Sequence, residues 1–170
     1  MHDDGHSVFA PGSSSLSGVA VVVETLQLGF FGDHLTFRVR EQLLGDDEHP
    51  DRVARSLAGF GDRGADGQLL HSTSWRFAAG RIVLTYAALP DPDPATATRL
   101  DGVGLTAVAA GPLDPSPAGT DRPAVARHAC RHLAFLRRTD RVVAASARYH
   151  PRLWDLIGRH EPAPAGALNG

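Results

Sequence analysis

Two strand–turn–strand patterns, separated by a short helical stretch, constrain this chain more than anything else in it. In the first, Val19–Leu28 is rich in valine and bounded by Gly18 and Gly29, the mark of a strand buried on both faces at its start. Leu35, Phe37 and Val39 then alternate with Thr36, Arg38 and Arg40, and that period of two marks a half-exposed strand. The connection Phe30-Phe31-Gly32-Asp33 makes the two runs a hairpin. The second pattern pairs Leu69–Phe77 with Ile82–Leu89 across Ala78-Ala79-Gly80-Arg81, where Gly80 supplies the positive φ such a turn needs. Between the hairpins, Pro50 stands where a first helical residue is favoured. Val53, Leu57 and Phe60 follow at i, i+4 and i+7, one face of a short helix.

Pro90–Pro94 then reads as a rigid surface loop, Gly104–Ala110 as a fifth strand and Gly111–Pro123 as a linker. The C-terminal part is helical. Val125, Ala129, His132, Leu133 and Leu136 form one stripe of a helix over about 124–138. Thr139 or Asp140 caps a second helix through Ala147, and Pro151 starts a third with Leu153, Trp154 and Ile157 inward. The order β-β-α-β-β-β-α-α-α predicts an α+β layer fold, with a mixed or antiparallel sheet of about five strands packed with helices. Residues 1–16 read as a flexible arm, 17–160 as one domain and 161–170 as a flexible tail.

At 170 residues, with 42% hydrophobic and 21% charged residues, the chain is long enough for one real core and too apolar for wholesale disorder. The longest apolar run, Gly18–Val23, is far short of a bilayer span. The acidic start Met1-His2-Asp3-Asp4 argues against a signal peptide. A single cysteine, Cys130, excludes an internal disulfide. Together these predict a cytoplasmic protein with no membrane partner. All 17 basic residues are arginine and none is lysine, a bias that a GC-rich genome explains without selection for phosphate binding.

The most unusual stretch is Leu70-His71-Ser72-Thr73-Ser74-Trp75-Arg76. Strict alternation places His71, Thr73 and Trp75 on one face, with Tyr86 close by across the hairpin, and Ser72, Ser74 and Arg76 on the other. His71, Thr73, Trp75, Arg76 and Tyr86 are therefore the candidate ligand-binding residues, for a small planar molecule stacking on the aromatic pair. Packing of Trp75 into a helix-covered core is the competing expectation.

His128 and His132 share a helical face at i, i+4, a spacing that can hold a metal. No glutamate follows His128 and no third ligand suggests itself, so neither a metal nor any other cofactor is expected. His128 reads as solvent-facing, His132 as bordering the core. From Arg122 to His160 nine arginines face only Asp140 and Asp155. Without interleaved aromatic residues, this segment is not expected to bind nucleic acid.

The order of elements over residues 18–90 resembles a Nudix domain. Leu69–Arg76, leading through Gly80 to Ile82–Ala88, resembles the strands after the Nudix helix, and Pro50–Leu57 resembles the opening of that helix. The resemblance implies metal-holding acids, but matching Arg55 and Leu57 to the family pattern puts Ser56, Gly59 and Phe60 where helix acids belong. The upstream acid falls on Asp47, and Glu41 takes the place of the leading glycine. What the resemblance then implies is a Nudix-like scaffold without the usual catalytic centre, binding a small, possibly nucleotide-like molecule or a partner, and leaning away from an enzyme. Two alternatives remain: a hydrolase drawing on Glu24, Glu41, Asp47 and His71, and a structural or regulatory module using the arginine-rich helices.

Overall fold

The computed structural model describes residues 18–102 and 121–164. The expected arm at 1–16, the strand at 104–110, most of the linker and positions 165–170 lie outside them.

Strands β1 (Val21–Phe31) and β2 (His34–Leu43) form the first hairpin. Helix α1 (Pro50–Leu57) follows, opened by His49, whose ring accepts from the Asp51 amide at 3.3 Å. Strands β3 (Leu69–Ala78) and β4 (Arg81–Leu89) form the second hairpin. Its two-residue turn, Ala79-Gly80, has φ of 50° and 74°, the doubly positive geometry that matches strand twist. A two-residue strand, β5 (Thr98–Arg99), lies against β2. The sheet order is β3-β4-β1-β2-β5, with β1 and β4 parallel and every other pair antiparallel. The fold is therefore α+β on a five-stranded mixed sheet, as the pattern predicts, with a fifth strand at 98–99.

Helices α2 (Arg122–Thr139), α3 (Arg141–Ala147) and α4 (Pro151–Ile157) cover one face of the sheet. Asp121 caps α2 by accepting from the Ala124 amide at 2.8 Å. Asp140 ends α2 and caps α3, accepting from the amides of Val142 and Val143. Leu26 and Leu28 of β1, Phe37 of β2 and Leu89 of β4 pack there against Leu133, Leu153, Trp154 and Ile157. Within the expected tail, residues 161–164 lie against α2, where the Ala163 amide donates to the Arg131 carbonyl.

The opposite, outer face is smaller. Val23 and Tyr86 pack there against Val53 and Ala54 of α1, and Gln27 reaches across to donate to the Ala58 carbonyl at 2.9 Å. Gly67 seats the loop before β3, because a Cβ there would come within 2.5 Å of the Tyr149 side chain. Among the described residues no helix is long and apolar enough to cross a membrane.

Candidate functional site

A single extra residue in β3 decides where the candidate side chains go. Ser72 pairs with Tyr86, yet Ser74 pairs with Thr85, so Thr73 has no partner and forms a bulge. Before the bulge, His71 opposes Ala87 on the helix-covered face; after it, Trp75 opposes Leu84 on the outer face. Uninterrupted alternation would have kept His71, Thr73 and Trp75 together. The inserted residue shifts the phase of everything after it, so that expectation is corrected. Trp75 shares the outer face with Tyr86, as expected, but is covered by neither the helices nor a cleft: it is 66% exposed.

Arg76 follows Trp75 and therefore points under the helices. Its guanidinium holds Glu24 with two bonds, Nη1 to Oε1 at 2.8 Å and Nη2 to Oε2 at 2.7 Å. Thr85 donates its hydroxyl to the same carboxylate at 2.9 Å. Glu24 is 1% exposed, in a strand otherwise apolar on this face. Burial pushes its pKa up, but the bonds and charge of Arg76, with help from Thr85 and Glu41, outweigh that and hold it below the ordinary carboxylate range. Glu41, the cross-strand partner of Glu24, is in turn met by Arg122 at 3.4 Å. Asp47 sits in an exposed turn. The four acid–base candidates therefore do not share one cleft: Glu24 and Glu41 sit together, while His71 is engaged elsewhere.

His71 meets α2. Its Nε2 lies 3.3 Å from Nε2 of His132, with ring centroids 5.3 Å apart. Phe135 stacks on His132, with ring centroids 6.4 Å apart. One turn earlier, His128 is buried, which corrects the expectation of a solvent-facing residue; the backbone of Thr73 hydrogen-bonds it. The bulge thus brings a backbone group of β3 to this histidine. Thr73 itself is buried and donates to the Thr85 carbonyl at 3.3 Å. Burial lowers the pKa of His71, His128, His132 and His160, and neighbouring positive charge deepens the effect: His132 and Arg131 act on His128, His71 on His132, and Arg127 and Arg131 on His160.

These shifts set a pH dependence. A histidine whose folded pKa lies below its unfolded value binds fewer protons when folded, so its stabilising effect is complete above the ordinary histidine range and fades as pH falls through it. The melting temperature should drop between about pH 7.5 and about pH 5.5, the window in which histidine changes charge. His132→Asn should flatten that slope. A melting temperature level across the window would contradict the burial of these rings.

Tyr86 and Cys130 are closed to chemistry. The Tyr86 hydroxyl donates to Asp51 of α1 at 2.6 Å, and burial with this carboxylate raises its pKa. Burial pushes the Cys130 thiol up to about 12, so it is no nucleophile. On α1, Ser56 is exposed, Gly59 lies past the helix end with φ of 69°, and Phe60 is buried. The helix offers Asp51 as its one carboxylate, and Tyr86 occupies it.

Several of the nine arginines tie the helices down. Arg137 donates to the Trp154 carbonyl at 2.9 Å, Arg131 to the Glu161 carbonyl, and Arg152 to the Gly32 carbonyl while lying over the Phe30 ring. The pairing of Glu24 with Arg76 had a signal in sequence, since a lone acid in a buried strand requires a partner. The meeting of His71 with His132 had none, because 61 positions separate them. No family model matches the chain, and no curated protein matches it.

Proposed function

We propose that this chain is a non-catalytic binding domain on a Nudix-like scaffold, acting in the cytoplasm and engaging a protein partner through the outer face of the β3–β4 hairpin. The observation that carries this reading is the uncovered aromatic face: Trp75 is 66% and Phe77 48% exposed. Register sets Phe77 beside Ile82, which pairs with Val21, and Trp75 beside Leu84, which pairs with Val23. Helix α1 packs over β1 and β2. Among the described residues, Trp75 and Phe77 lie open at the outer end of this strip, Ile82 and Leu84 are half-buried, Val23 is covered by α1, and β3 is an edge strand. Contiguous exposed apolar surface marks an interaction site more often than it marks chance. A sheet face is flat, which suits a protein surface better than a small molecule that must be enclosed. The absence of a helix carboxylate other than the occupied Asp51 supports the non-catalytic part.

A photo-crosslinking amino acid in place of Trp75 should trap one defined protein species in native cell extract. The same residue in place of Val142, exposed on α3, should not. Equal or absent capture at both positions would overturn the assignment of the face. Magnesium-dependent hydrolysis of nucleoside diphosphate derivatives that disappears in Glu24→Gln or Glu41→Gln would overturn the non-catalytic part and favour the hydrolase reading.

A further inference from the structure

We propose that His71 and His132 form a two-point chelate for one divalent transition-metal ion, zinc by preference, between β3 and α2. The distance between the two Nε2 atoms is the main observation. Two imidazole nitrogens each about 2.05 Å from a tetrahedral zinc stand about 3.3 Å apart, and the observed separation is 3.3 Å. The rings come from different elements and are tilted by 32°, so each can turn its lone pair to a common point beside the line joining them.

The surroundings favour the neutral rings that a metal requires. Both histidines are partly or fully buried, and burial disfavours their protonated forms. The carboxylate of Asp140 acts on His71 through its charge and favours a cation there. The Ala163 backbone approaches the His132 ring, while its Nδ1 is buried without a well-formed hydrogen bond. A small rotation would let the Ala163 carbonyl accept a hydrogen bond from Nδ1–H, the outer contact that steadies a metal-bound histidine. His128 is drawn away by the backbone of Thr73. Among the described residues no third His, Cys, Asp or Glu completes the set, so water or an anion from solution fills the remaining positions. Partly exposed His71 leaves them an approach. In the metal-free chain one ring donates its Nε2–H to the other; on metal binding that ring changes tautomer by exchange with solvent, its proton passing to Nδ1, so that both neutral rings offer Nε2 to the ion.

The test is calorimetric titration of the full, tag-free chain with Zn²⁺ at neutral pH. One ion per chain is expected in the micromolar range, together with a rise in melting temperature. Because His71 is only partly buried, His71→Ala should fold, and it should weaken that binding by more than about tenfold. Co²⁺ substitution should give visible absorption of a four-coordinate ion that vanishes in His71→Ala. Zinc binding equal in His71→Ala and the parent would overturn the proposal. So would no binding up to about 0.1 mM, or a loss confined to His128→Ala, which would assign the ion to the i, i+4 pair on α2.

Discussion

Arg76→Ala should destabilise the fold by about 3–5 kcal/mol, because it strands a charge where water cannot reach it. Glu24 is 1% exposed, and the Arg76 side chain is itself only 16% exposed. With the guanidinium gone, Thr85 is left as a neutral donor to a carboxylate in an apolar layer. The carboxylate must then take up a proton or draw in water. The double variant Glu24→Leu with Arg76→Met should recover much of the loss, since a buried pair replaced by apolar groups of similar size is often neutral or better. Denaturant unfolding of both variants measures the difference. A single variant that costs less than about 1 kcal/mol, the ceiling for an exposed ion pair, would mean that solvent reaches Glu24. The pair also adds an acid limb to the stability profile. Its folded-state pKa is depressed, so its contribution is present above the ordinary carboxylate range and is lost as pH falls through the folded value.

The two tryptophans should behave as opposites. Trp154 of α4 is 0% exposed, within the cluster formed by Leu133, Leu153 and Ile157. Trp154→Ala should cost about 3–5 kcal/mol through lost burial and the cavity left behind. Trp75→Ala should change stability by no more than about 0.5 kcal/mol, as for other exposed positions. Thermal melting separates them, and fluorescence gives an independent reading. Emission quenched by added iodide should belong to Trp75 and disappear in Trp75→Ala. A large stability loss on replacing Trp75 would show that its face is covered, contrary to the interaction surface drawn here.

Much of the architecture was legible in the chain because it rests on local rules. The two hairpins follow from period-two alternation and from Gly32 and Gly80, which accept the positive φ their turns require. The helix starts follow from Pro50, Pro151 and the capping carboxylate of Asp140. These signals act over a few residues and need no knowledge of what lies across the core. The inward stripe of α2 was legible for the same reason, whereas the burial of His128 was not: it depends on the backbone of β3 arriving opposite.

The candidate site shows where such rules stop. Alternation alone predicts one face for His71, Thr73 and Trp75, and one inserted residue at Thr73 separates them. Nothing in Ser72-Thr73-Ser74 announces a bulge, because a bulge is a property of two strands in register and not of either alone. The parallel pairing of β1 with β4 is likewise invisible locally, yet it sets Glu24 beside Thr85 and within reach of Arg76. By itself the sequence determined the two hairpins, the helices, and their turns and caps. Only the tertiary structure decided which arginine answers Glu24, that His71 meets His132, and that Trp75 faces outward. Such pairings are set by strand register and helix docking across tens of residues, where the free energy lies in contacts that exist only once the layers have closed.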